Sequence, residues 1–470
     1  MKIKTILKIL IIICFLLIGY QFIQTSYYLI TEKYALNQVE GSMVLFLDRL
    51  IQGNSLYPPT NMPPYFTNTY APFFYLFLGT LSYLIPYFSS LQGLRLFTIF
   101  VEIIIVFLTY KLIFLETKSR KISLISSFMF LALLSTHKFH GLARIDMFLV
   151  LLATSGIYFV RKYFYSKNQK WLVAFCIIFV LAIYTKLTAI FTLFTILIYS
   201  IYKKQKGTFT YSILCITLSI ILYFITNTLT KNGFFNQTIY YQSLSNINFY
   251  MGFSYLFELL KNYWFLVIAS MLALKSKQLP IFYKFLITTE FFWFTFTIFK
   301  GGADLNYSIL LFVLTTVTFS IYINNYLPSN DQGDLILLLI LIFVVMNMFN
   351  LGYYYRYFLN QKVINERDKM ATLVKEIPDK MIFIEDPYFA IVGNKEILAS
   401  DPYQLGMIIK NGVKINNFYE NLDNGTVNYV ITSNLIKLFP NLKLKERGFK
   451  KIYISKTWIT HGYWEVWKKE

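Results

Sequence analysis

LRLFTIFVEIIIVFLTYKLIFLETKSRK, residues 94–121, holds the pattern that decides the fold. An apolar run of bilayer length, which takes roughly 20 residues, ends in a cluster of Lys and Arg. Outward in both directions the same pairing returns. MKIK opens the chain, and RKYFYSKNQK (161–170), KKQK (203–206) and KSK (275–277) follow later apolar runs. The connections between these clusters carry little such charge. Lys and Arg accumulate in cytoplasmic loops, so the basic connections mark one face of a membrane and the others its outer face. Spans are expected at 6–30, 94–115, 121–138, 146–164, 171–185, 187–202, 208–229, 252–274, 280–299, 305–323 and 334–358, or about eleven crossings.

Composition agrees. The chain has 470 residues, is 56% hydrophobic, 19% aromatic and only 14% charged, with mean hydropathy +0.51. A soluble protein is about a quarter charged. The net charge of +20 does not indicate a nucleic-acid partner, because much of it sits in short loops beside anionic headgroups. Cys14, Cys176 and Cys215 lie inside apolar runs and form no disulfide framework. The first run is too long for a signal-peptide core and is read as a retained anchor.

The run 71–88 decides the orientation. If it crossed, four basic clusters would fall outside, against the positive-inside rule. It is therefore expected to lie in the outer leaflet as an aromatic helix interrupted by Pro72 and Pro86. The fold class that follows is an all-α polytopic membrane bundle over residues 1–359, with a first outer loop at 31–93. A small extracytoplasmic α/β domain follows at 360–470. In that tail KMIFIED (380–386), VNYVITS (427–433) and KKIYIS (450–455) alternate as strands do. The N-terminus is expected in the cytoplasm and the tail outside.

The chemical groups gather in the outer connections. In YALNQVEGSMVLFLDRLIQGNSLY (34–57), Glu40 follows the anchor and is the candidate base for an incoming hydroxyl; Asp48 lies two turns further, beside Arg49. HGLARID (140–146) places Arg144 and Asp146 at the mouth of a span. Residues two apart do not face each other on a helix, which suits separate partners; the alternatives are that Asp146 binds a metal or orients Arg144, or that the two form a structural ion pair at the helix start. Arg144 has the planar fork that suits phosphate. Lys186 in YTKLTAI (184–190) is a second cation at an outer bend. KGGADLNY (300–307) offers Asp304, Asn306 and Tyr307 at a tight turn. His137 and His140 lack an evident third metal ligand. Tyr57, Tyr65, Tyr70, Phe73 and Tyr75 suit a sugar ring or the lipid headgroups.

Taken in order, QVEG (38–41), LIQGNSLY (50–57), NTYAPFFYLFL (68–78), GLRLFTIF (93–100), ARIDMFLVLLA (143–153), YTKLTAI and KGGADLNY resemble motifs of the GT-C polytopic glycosyltransferases. The bacterial members similar to protein O-mannosyltransferases and to the lipid A aminoarabinose transferase are the nearest in pattern. The resemblance covers about residues 5–360. It implies a polyprenyl-phosphate sugar donor used at the outer face of a bacterial plasma membrane, with a lipid, glycan or protein acceptor. It also implies Glu40 as general base or as the group that orients the acceptor, Arg144 and Lys186 on the donor phosphate, Asp146 in support, and Asn306 and Tyr307 closing over the sugar, with Tyr70 and Asp304 in the same site. Many members carry paired acids in the first loop. Val39 breaks that pair here, so no metal site is assigned, although a divalent metal stays open as a cofactor. Two other functions fit a polytopic basic chain. A flippase for lipid-linked sugars would place its polar groups near the bilayer midplane, and a polysaccharide polymerase or ligase would use a glycan donor.

Overall fold

The computed structural model describes residues 2–327, 331–351, 360–433, 439, 441–457 and 462–470. Helices occupy each of the segments expected to span. They are α1 (Lys2–Thr31), α4 (Leu91–Thr117), α5 (Arg120–Thr136), α6 (Ile145–Ser166), α7 (Lys170–Ile183), α8 (Ala189–Tyr202), α9 (Lys206–Leu229), α10 (Phe249–Lys275), α11 (Ile281–Ile298), α12 (Ile309–Tyr326) and α13 (Asp331–Leu351). Two shorter helices, α2 (Gln38–Ile51) and α3 (Phe73–Leu84), belong to the first loop. The last part of the expected final span, residues 352–358, lies outside the described residues.

Eight of these helices are long and apolar enough to cross a membrane, whereas α7 and α8 are shorter apolar helices and α5 falls outside both groups. The bilayer reading also rests on exposure. Ile213, Leu214, Leu218, Ile221, Phe224 and Ile225 form an exposed apolar face on α9. In water such a continuous face would be an aggregation surface; against lipid it is solvated. α3 has 12 residues and so is about 18 Å long, well short of a roughly 30 Å hydrocarbon core.

Local signals set the helix ends. Asn37, Ser90, Ser119 and Asn248 each cap the helix that follows by accepting a backbone N–H. Lys118 and Lys167 close α4 and α6 in the left-handed region. At the basic ends of the bundle, Arg161 grips Glu116 through two bonds of 2.7 and 2.6 Å, and Tyr283 donates to the same carboxylate at 3.0 Å.

After α14 (Gln361–Glu376), strands β1 (Met381–Ile384), β2 (Glu396–Ile397), β3 (Tyr429–Thr432), β4 (Phe449–Ile454) and β5 (Glu465–Lys469) form one sheet in the order β2-β1-β3-β5-β4. β2 and β3 run parallel to β1, and β5 runs antiparallel to β3 and β4. Short helices α15 (Pro387–Val392), α16 (Pro402–Lys410) and α17 (Phe418–Asp423) lie between the strands. This unit is docked on the bundle: Met370, Val374, Ile382, Phe389 and Trp464 share one core with Tyr34, Met43 and Leu94. The approach is close at Gly41, where a Cβ would lie 2.6 Å from Asp386 Oδ1 and 2.7 Å from the Tyr388 nitrogen.

Candidate functional site

Glu40 and Arg95 are wholly buried. Arg95 donates Nε to Glu40 Oε1 at 2.9 Å and Nη2 to Oε2 at 2.7 Å. Its other donors reach the carbonyls of Leu29, Glu32 and Tyr34, each at 2.9 Å. Glu40 also accepts the backbone N–H of Leu36 and of Ala143, both at 2.8 Å. Each carboxylate oxygen thus has two donors. Burial works against the charge, but Arg95 and the two amides outweigh it and hold the carboxyl below its usual range. A base must offer a lone pair to the proton it takes, and in this structure the lone pairs of Glu40 are occupied within protein. The carboxylate also ties the first loop to the connection before α6.

What Glu40 organises is the segment 140–143. Ala143 hangs on Glu40. Gly141 donates to Glu102 Oε1 at 2.9 Å, and His140 Nδ1 lies 2.6 Å from Glu102 Oε2. Nε2 of His140 meets the hydroxyls of Thr25 and Ser26 at 3.2 and 3.4 Å. Gly141 has φ +61, and a Cβ there would sit 2.7 Å from Leu29 Cδ1. Two buried carboxylates therefore fix the loop that presents Arg144.

Arg144 is the N-cap of α6 with extended backbone (φ −135, ψ 153), so it escapes the helical spacing that separates residues two apart. Its Nε donates to Asp146 Oδ2 at 3.0 Å. Of the readings the sequence left open, the one with Arg144 and Asp146 paired at the helix start is the one formed, and separate partners are not. Lys186, in the turn joining α7 to α8, donates to Asp146 Oδ1 at 2.8 Å, and Asn306 Nδ2 donates to the same oxygen at 2.7 Å. Burial opposes the Lys186 charge, but Asp146 more than offsets it and keeps the ammonium's pKa above its usual value. Lys186 Nζ lies 4.5 Å from the Tyr307 ring centre and 5.6 Å from that of Tyr70, while the Arg144 guanidinium lies over Phe139 at 4.3 Å. Asp146, Lys186, Asn306 and Tyr307 line a cavity of about 40 Å³ whose far side holds Thr192, Glu290 and Trp293.

The structure therefore joins Arg144, Asp146, Lys186, Asn306, Tyr307 and Tyr70. Asp304 turns away: it pairs with Lys138 and bonds the Leu305 N–H at 2.7 Å. Three of the aromatic residues expected to meet sugar or headgroups, Tyr57, Tyr65 and Tyr75, are buried in protein, because the loop folds under α3 and the sheet-bearing unit. His137 meets Ser308 and the Phe139 N–H. Arg95, Glu102 and Glu290 were not picked out from sequence. A charge inside an apolar run was the signal available for each.

Residues 70–230 match the sequence profile of a family described as dolichyl-phosphate-mannose-protein mannosyltransferase. Among curated proteins none matches by sequence. Several solved structures match by fold. ArnT from Cupriavidus metallidurans bound to undecaprenyl phosphate aligns with TM-score 0.61 at 11% identity, over 96% of this chain and 97% of that one. The apo form of the same protein gives 0.63 at 11% identity over the same shares. The oligosaccharyltransferase AglB from Archaeoglobus fulgidus, in complex with an inhibitory peptide and a dolichol-phosphate, gives 0.58 at 9% identity over 98% of this chain and 74% of that one. At such identities the likeness establishes architecture. The chain has the GT-C fold and resembles the ArnT-like and protein-mannosyltransferase-like membrane glycosyltransferases.

Proposed function

We propose that this protein is an integral-membrane glycosyltransferase that moves a sugar from a polyprenyl-phosphate donor to an acceptor hydroxyl on the outer face of a bacterial plasma membrane. One observation carries the reading. Arg144, Asp146, Lys186 and Asn306 come from three separate connections and converge on one buried point. Two cations face a single carboxylate, which leaves one positive charge, the complement of a phosphodiester. Asp146 uses one of the three Lys186 donors and holds Arg144 through Nε, so donors remain for phosphate oxygens.

In this reading the acceptor oxygen bonds to the anomeric carbon as the bond from that carbon to the phosphate oxygen breaks. The electron pair leaves with the lipid phosphate, and Arg144 and Lys186 stabilise the growing charge. The departing phosphate, with a second ionisation near pH 6, is a competent acceptor for the hydroxyl proton. Asp146 aims the two cations, and Tyr307 and Tyr70 flank the ammonium. Residues 1–359 carry the site, and residues 360–470 cap it from outside. The polyprenyl and dolichyl phosphates bound by the two structural relatives support the donor class. The acceptor is a lipid, a glycan or a protein.

The test is transfer from a labelled polyprenyl-phosphate sugar in membranes carrying Lys186→Ala or Arg144→Ala at normal abundance. Losing one such electrostatic donor costs about 100-fold or more in rate. Undiminished transfer by both variants would overturn the site.

A further inference from the structure

The far side of the cavity holds a carboxylate that the phosphate chemistry does not use. Glu290 sits near the middle of α11, where a charge is expensive and its persistence marks function. Other buried acids of the helical part each face a cation or a histidine: Glu32 faces Arg367, Glu40 faces Arg95, Glu102 faces His140 and Asp146 faces Lys186. Glu290 has no ion pair among the described residues. Its one side-chain bond there comes from Thr192, whose hydroxyl donates to Oε1 at 2.5 Å.

A second observation comes from the same lining. Asn306 is 93% buried and lines the same cavity, and its Oδ1 has no hydrogen-bond partner. Its amide nitrogen is already given to Asp146. The buried atom left without a partner on this lining is therefore an acceptor, Oδ1 of Asn306, beside a carboxyl group whose one described side-chain bond is the one from Thr192. Buried acceptors without donors are costly. A phosphate and an isoprenoid tail bring only acceptors and hydrocarbon. A sugar brings hydroxyl donors. The space is about 40 Å³, enough for one or two water-sized groups.

We infer that Glu290, with Asn306 on the same lining, reads one hydroxyl-bearing substituent of the donor sugar, which enters this cavity while the phosphate lies beside Lys186. The inference rests on the transferase reading and deepens it. Thr192 positions Glu290 by holding Oε1, which leaves Oε2 for the ligand. Specificity of this kind is steep: a site built to bond a hydroxyl rejects the analogue lacking it, because its own buried group is left unpaired.

The experiment uses the full chain, purified in lipid nanodiscs, with undecaprenyl-phosphate hexose and pentose donors and the single-deoxy analogues of the best one. For wild type, one deoxy position is expected to lower kcat/KM by 100-fold or more. In Glu290→Ala that discrimination should fall to within about 3-fold, and Glu290→Gln should keep part of it. Inhibition by undecaprenyl phosphate alone should stay within about 2-fold of wild type in both variants. The conservative Gln variant and a melting curve separate this from a purely structural role, which would lower the melting point and leave the deoxy ratios intact. Transfer with unchanged deoxy ratios in Glu290→Ala overturns the sugar-reading role alone. No transfer by wild type, together with undecaprenyl-phosphate binding that is indifferent to Lys186→Ala, overturns the transferase reading and this role with it.

Discussion

At the scale of single residues, the contrast between Glu40 and Asp146 is instructive. Both are buried acids beside cations. Glu40 has every oxygen lone pair engaged by Arg95 and two amides, whereas Asp146 holds cations that still have donors to give. The first pattern is closed within the protein, and the second leaves donors open to a ligand. Glu40→Gln keeps the shape but leaves Arg95 as an uncompensated buried charge. Breaking a buried pair in this way costs about 3–5 kcal/mol, so this variant should lose abundance and melt earlier in detergent, while Lys186→Ala should melt near wild type. A Glu40→Gln protein that is inactive but melts like wild type would restore Glu40 as a chemical group. Sequence alone located Glu40, Arg144, Asp146, Lys186 and Asn306, because acids, bases and amides in outer connections stand out against an apolar background. It could not assign the pairing. Arg95 lies 55 positions from Glu40, and no local spacing rule spans that gap.

At the scale of elements, helix positions were readable because apolar length and basic ends both report them. The strands β1, β3 and β4 were readable from alternation. β2 has only two residues, and in β5 the buried Val466 and Trp467 are neighbours, which breaks the alternation. The junction of α2 with α15 was equally hidden, because it depends on Gly41 admitting the 386–388 backbone. Asp386 lies in that junction with Oδ2 unpartnered. Burial, aided by the like charges of Glu40 and Glu385, pushes its carboxyl up to about 8, against a partial opposing pull from Arg367. A carboxyl raised on folding binds its proton more tightly in the native state. Its contribution is full below the unfolded value near 4 and is lost as pH rises through about 8. The melting point of wild type should therefore fall between pH 5 and pH 9. Asp386→Asn should flatten that slope and match or exceed wild type at pH 9. An identical slope in the variant would show that the junction does not titrate through Asp386.

For the whole molecule, depth and sidedness are linked. α7 and α8 have 14 residues each, about 21 Å, against a hydrocarbon core of roughly 30 Å. If their basic ends lie at the inner surface, the Lys186 turn between them stops below the outer surface. The cation cluster is then recessed, where low dielectric strengthens its hold on an anion. This geometry holds only if α3 stays in one leaflet, since one more crossing there would invert every later connection. Cysteines placed singly at the exposed positions 54, 204, 277 and 424 test it, in a background where buried Cys14, Cys176 and Cys215 are replaced. A membrane-impermeant thiol reagent applied to intact cells should modify 54 and 424 and should reach 204 and 277 only after permeabilisation. Labelling of 54 and 204 from the same side would mean that α3 crosses, and Lys186 would then open toward the compartment where no outer-face acceptor waits.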